Sequence, residues 1–91
     1  MKNPYPKYVM LILNGKPNCA MRLQKSEYWV GKNSRWEYYR HAGDWGICFK
    51  EVDGKLITSD DRYTEDIPHL NGQELIPITE AEWRNDNKGY I

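Results

Sequence analysis

Apolar residues recur at every second position through most of this chain, with turn-forming residues between the runs. That is the pattern of short strands rather than of helix. The first run, Lys7 to Leu13, carries Val9, Leu11 and Leu13 on one face and Tyr8, Met10 and Ile12 on the other. Apolar side chains on both faces imply a strand buried on both sides. Asn14-Gly15-Lys16-Pro17-Asn18 is dense in turn formers and predicts a hairpin loop. Beyond it Cys19, Met21 and Leu23 alternate with Ala20, Arg22 and Gln24, a half-buried second strand that Lys25 to Val30 continues or restarts. Gly31 to Ser34 reads as a turn. In the next strand Trp36, Tyr38 and Arg40 face one way, and Arg35, Glu37, Tyr39 and His41 the other. Ala42-Gly43-Asp44 turns the chain again, and Trp45, Ile47 and Phe49 then line up at period two as core. Gly46 and Cys48, small residues on the reverse face, leave room for a close neighbour.

The second half has shorter elements. Val52-Asp53-Gly54 reads as a three-residue hairpin loop that sets Glu51 opposite Lys55 and Phe49 opposite Ile57, with Leu56 to Thr58 as the return strand. Asp60 to Asp66 is a polar, acidic loop that Pro68 to Gly72 extends. Glu74 to Ile78 forms a last strand, which Pro77 confines to a sheet edge or a strand end. Thr79-Glu80-Ala81-Glu82 has the form of a capping box and starts a short helix that Trp83 pins to the sheet and Asn85 to Gly89 ends. Tyr90-Ile91 is an apolar tail. The expected fold is mainly β (α+β): a single small antiparallel sheet, curled or barrel-like, of five or six strands with one short C-terminal helix. One domain spans residues 1–91.

Composition adds order and a charge split. The chain is 40% hydrophobic and 13% aromatic, enough to fold and too aromatic for a disordered segment. Formal net charge is zero, but residues 1–50 carry nine Lys or Arg against three acids, and residues 51–91 carry four against ten. Such a split either steers a charged partner to one face or lets the two halves attract each other in the fold. Two cysteines, Cys19 and Cys48, make neither a disulfide scaffold nor a CxxC pair, so semi-buried thiols in a reducing, cytoplasmic protein are expected. The apolar run Tyr8 to Leu13 is too short for a membrane helix, and no membrane partner is implied.

Motifs for chemistry are sparse. Cys19, His41, Cys48 and His69 are zinc-type ligands, but none is paired with another on a turn, so no metal site is expected. A Cys48–His nucleophile pair lacks any local sign of activation between Ile47 and Phe49. Asp60, Asp61, Glu65 and Asp66 lack the alternation and central glycine of a calcium loop and read as a solvated or partner-facing acidic patch. No glycine-rich phosphate loop, cofactor or catalytic constellation is evident.

The stretch from Tyr28 to Phe49 is the candidate that remains, with seven of the chain's twelve aromatics. Lys32, Arg35, Trp36, Tyr38, Tyr39, Arg40 and His41 form its proposed partner-binding set, because Trp, Tyr and Arg dominate interface hot spots. Of the two strand faces, the one with Arg35, Tyr39 and His41 is the more polar and is expected to face outward. Aromatic rings beside cations also suit stacking of single-stranded RNA or DNA, although a neutral total charge is unusual for such modules. A homo-oligomer interface is a third use of exposed aromatics. The short, cysteine-poor, aromatic-rich, motif-free format resembles small accessory or inhibitor proteins of phages and other mobile elements. That resemblance implies a non-enzymatic protein that occupies a protein or ribonucleoprotein partner, of anti-defence type.

Overall fold

The computed structural model describes residues 5–26, 35–40, 46–59 and 71–89, with the side chains of Ser26 and Arg35 outside that description. Among the described residues six strands form: β1 (Tyr8–Leu13), β2 (Lys16–Ser26), β3 (Arg35–Tyr39), β4 (Gly46–Val52), β5 (Lys55–Thr58) and β6 (Glu74–Pro77). Each pairs antiparallel with the next, and β6 pairs back onto β1, so the sheet closes into a barrel. A single helix, α1 (Glu80–Asp86), follows. The expected mainly antiparallel, barrel-like sheet with a short C-terminal helix is what the chain forms.

Period-two alternation fills the barrel. Val9 and Leu11 of β1, Cys19, Met21 and Leu23 of β2, Tyr38, Ile47, Leu56 and Leu75 form one buried cluster, with Leu13, Trp36 and Phe49 packed partly against it. Burying each Leu, Ile, Val or Met contributes roughly 1.5–3 kcal/mol, so this cluster is the main source of stability. The opposite face of β1 is also covered, as its two-faced apolar pattern implies. Tyr8 and Ala20 sit outside the barrel wall beneath Trp83 of α1, and the Tyr8 and Trp83 rings lie 5.1 Å apart.

The helix is short, and its ends are specified. Thr79 caps it: its side chain accepts from the Glu82 N–H at 3.1 Å while the Glu82 carboxylate accepts from the Thr79 N–H at 3.0 Å. Its other end closes an open stretch of sheet. β2 pairs with the described residues of β3 from Arg22 onward, so the Ala20 peptide group, bordered by β1 on one side, has no described strand on the other. The Asp86 carboxylate accepts from the Ala20 N–H at 2.9 Å, and the Asn87 side chain donates to the Ala20 and Trp83 carbonyls. Side chains thus replace the missing strand.

Both tight hairpins are two-residue turns with left-handed φ at both central positions, Asn14-Gly15 (52° and 81°) and Asp53-Gly54 (52° and 80°). This geometry matches strand twist and is what Asn-Gly and Asp-Gly favour. The first turn is therefore narrower than the expected Asn14–Asn18 loop: β2 begins at Lys16, and Pro17 is accommodated beside a register shift opposite Leu11 and Ile12. The second corrects the expected three-residue loop. Val52 faces Lys55, Glu51 faces Leu56 and Phe49 faces Thr58. The Glu51–Lys55 pairing that favoured the longer loop is worth only a few tenths of a kcal/mol, less than a well-matched turn.

β6 is the closing strand rather than an edge, and Pro77 is its last residue. The Ile78 N–H bonds to the Tyr8 carbonyl on the β1 side. By alternation Pro77 turns toward β5, where it has no N–H to give. The β5–β6 register accordingly ends at Leu56 and Leu75.

The lead-in covers one end of the barrel. Tyr5 packs edge-on against Phe49 at 4.8 Å, and Tyr38 reaches out of the core to donate to the Pro6 carbonyl at 3.1 Å. Burial, and after it the Tyr5 phenol, pushes the Tyr38 hydroxyl well above its ordinary value of 10.0. The folded value lies above the unfolded one, so the stability contributed by Tyr38 is full below pH 10 and is lost as pH rises through the raised value. In an alkaline titration followed by phenolate absorbance, Tyr38→Phe should remove one phenol that ionises only as the barrel unfolds. An unchanged high-pH limb in the variant would contradict this placement.

Candidate functional site

β3 carries the aromatic–basic set, and its neighbours decide what that set can do. Tyr38 is fully buried, 0% exposed, with its ring against Phe49 at 4.8 Å. It is core, not partner surface, because its side chain falls on the inward phase of the alternation beside Ile47. Trp36 shares that phase and is half-buried against the same cluster. Arg40 is exposed at the end of the strand. The Arg35 backbone pairs with Ser26, and its side chain lies outside the described residues. Lys32, His41, Asp60, Asp61, Glu65 and Asp66 lie outside them as well, as do Trp45 and His69.

Of the face expected to be exposed, Glu37 and Tyr39 are described, and they lie on the outer side of the wall without being free. Glu37, on that face, is 0% exposed. Its carboxylate accepts from the Tyr39 hydroxyl at 3.1 Å and from the Cys48 thiol at 3.1 Å. A carboxylate taken out of water is costly unless donors replace the water, and two donors on the same wall do so here. Tyr39 in turn is half-buried, folded flat over Gly46 on the adjoining strand. A Cβ built on Gly46 would lie 2.7 Å from the Tyr39 ring. Register explains the group: Tyr39 faces Gly46 and Glu37 faces Cys48. The small residues at 46 and 48 did signal a close approach; the approaching layer is the ring from the next strand.

Both thiols are buried, and they face opposite sides of the wall, Cys19 within the main core and Cys48 with Glu37. That separates the two cysteines of the zinc-type set. Among the described residues no three or more His, Cys, Asp or Glu side chains gather as metal ligands. No helix among them is long and apolar enough to cross a membrane.

A second site was hidden from the sequence pattern. Where β5 and β6 part beyond Leu56 and Leu75, a slot of about 340 Å³ opens, lined by Tyr5, Pro6, Leu56, Leu75, Ile76 and Pro77. Glu51, Lys55, Glu74 and the Gly54 turn complete its rim. Ile76 is 41% exposed there, and Val52, on the β4–β5 hairpin, is 40% exposed. Pro77 was the available signal, since a proline at a strand end marks where a ladder must stop.

Comparison with protein-family models, curated proteins and solved structures finds no match to this chain.

The Tyr39–Gly46 contact makes a quantitative prediction. Gly46→Ala should cost about 1–3 kcal/mol, as overpacking does, because the Tyr39 ring must leave both its seat and Glu37. In a Tyr39→Ala background the same change should cost far less, since alanine is otherwise better than glycine within a strand. Urea midpoints for the double-mutant cycle measure this coupling. Additive effects at the two positions would show that ring and glycine do not meet.

Proposed function

We propose that this protein is a non-enzymatic binding protein that occupies, and thereby inhibits, a macromolecular partner. The observation that carries the reading is the slot between β5 and β6 with its exposed neighbours Ile76 and Val52. Large apolar side chains left in water beside a concave apolar surface are the usual mark of an interaction site. The side chains of Glu51, Lys55 and Glu74 on the rim make no hydrogen bond or ion pair with another described residue, whereas those of Glu37 and Thr58 in the wall and Asn87 at the end of α1 are bonded within the fold. The charge split and the aromatic-rich, motif-free format, which resembles accessory and anti-defence proteins of mobile elements, support the same class of function.

Base stacking on β3 is less well supported. It needs free rings, and Tyr38 is enclosed, Trp36 leans on the core and Tyr39 is bonded to Glu37. Among the described members of the set, Arg40 stands exposed.

Affinity capture from lysate tests the reading with Ile76→Asp, Val52→Asp and Arg40→Ala beside the wild type, each checked for an unchanged melting temperature. The partner should be retained by the wild type and by Arg40→Ala and lost, by tenfold or more in yield (~1.4 kcal/mol), with Ile76→Asp. Equal recovery by all four proteins would overturn the assignment of the site.

A further inference from the structure

We infer that the slot between β5 and β6 receives a basic side chain and its apolar neighbour from an extended segment of a partner protein. The inference rests on the binding reading above and adds the chemistry of what is bound.

The slot exists because a ladder stops. Pro77 supplies no N–H to β5, the register carries no pair beyond Leu56 and Leu75, and the strands continue to Lys55 and Pro77 without pairing to each other. Its apolar lining is Tyr5, Leu56, Leu75 and Pro77. At about 340 Å³ it lies at the small end of ligand-sized pockets, roughly 300–1,000 Å³, and so holds one or two side chains rather than a folded surface.

Its charges select the occupant. Glu51 and Glu74 both line it, against Lys55 as the single cation among the described lining residues. Neither carboxylate has an ion-pair or hydrogen-bond partner among the described residues. Two uncompensated carboxylates beside an apolar lining match a lysine or arginine, whose charged head sits in water while its methylene stem lies on apolar surface. The same carboxylates repel a phosphate backbone, which excludes nucleic acid from this slot. Along β6, the alternation that faces Pro77 toward β5 leaves its carbonyl with no β5 partner in the register. An extended chain can donate an N–H there, in the manner of strand addition.

Amide chemical shifts of the full chain, titrated with a capped hexapeptide alternating leucine and arginine, provide the test at low salt. Shifts should be confined to residues lining the slot, chiefly Lys55, Leu56, Leu75 and Ile76. They should weaken about tenfold (~1.4 kcal/mol) in a Glu51→Gln, Glu74→Gln variant, which changes one exposed and one half-buried side chain outside the core cluster. A control peptide alternating leucine and glutamate should produce none. Absence of shifts, shifts spread equally over Glu80, Glu82 and Asp86, or equal response to both peptides would overturn the inference. Shifts that grow with protein concentration alone would assign the slot to a second copy of the chain and overturn it as well. If the peptide fails while Ile76→Asp still loses its captured partner, the peptide chemistry falls and the binding reading stands.

Discussion

The fold depends on β1 being paired on both edges and covered on both faces. It joins β2 through a six-pair register and β6 through four, so it is the strand at which the sheet closes on itself. Inside the barrel Val9 and Leu11 meet the side chains of β2, β3, β4, β5 and β6, and outside it Tyr8 lies under Trp83. The same strand therefore anchors the main core and the helix. A short sheet of this size would otherwise present two edges to solvent, and closure removes them. Remaining irregularities are met locally. Asp86 and Asn87 occupy the gap beside Ala20, and Pro17 with its register shift disrupts the exposed beginning of β2.

Closure also fixes where the barrel is weakest. Strands β5 and β6 share a two-pair register, the shortest among the described strands, and it stops at Leu56 and Leu75 because Pro77 and the Asp53-Gly54 turn follow at that end. A proline at the same place on an open edge would be inconspicuous. In a closed barrel it parts two neighbours and opens a slot lined from both. The surface on which the functional reading rests is thus a by-product of closing a sheet with a strand that cannot pair along its whole length.

How far the sequence could reveal this depended on which interactions are local. Turn chemistry, capping and alternation are local, and they were legible: Asn14-Gly15, Thr79 with Glu82, Trp83 over the sheet, and the two-faced burial of β1 all follow from neighbouring residues. The length of the Asp53-Gly54 loop follows from backbone twist and not from the Glu51–Lys55 charge pairing, because twist is the larger effect. Facing across strands is not local. Period two correctly put Tyr39 and Glu37 on the outer side of β3, but only the register with β4 brings Gly46 and Cys48 beneath them. Tyr38 looked like part of a binding surface because its neighbours in sequence are polar and aromatic; its neighbours in space are Ile47 and Phe49. The slot could not be read at all without knowing that β6 lies between β5 and β1.

Glu37 and the carboxylates of the slot show why the candidate site moved from one side of the barrel to the other. All three are acids on strands, and sequence alone gives no reason to treat them differently. Glu37 is enclosed, with the Tyr39 hydroxyl and the Cys48 thiol supplied by residues that the fold places within reach. Its side chain joins β3 to β4 and seats the Tyr39 ring, and removing either donor would cost a buried acceptor one hydrogen bond. Glu51 and Glu74 stand at the parted seam, where closure leaves them beside apolar side chains, and among the described residues their carboxylates and the Lys55 ammonium make no ion pair. A charged group already satisfied by its own fold has little to offer another molecule. One left in partial contact with apolar surface gains from a partner that brings both a counter-charge and a hydrophobic stem. On that criterion the described part of the aromatic–basic strand is chiefly architecture, and the proposed binding surface lies where the barrel's own ladder runs out.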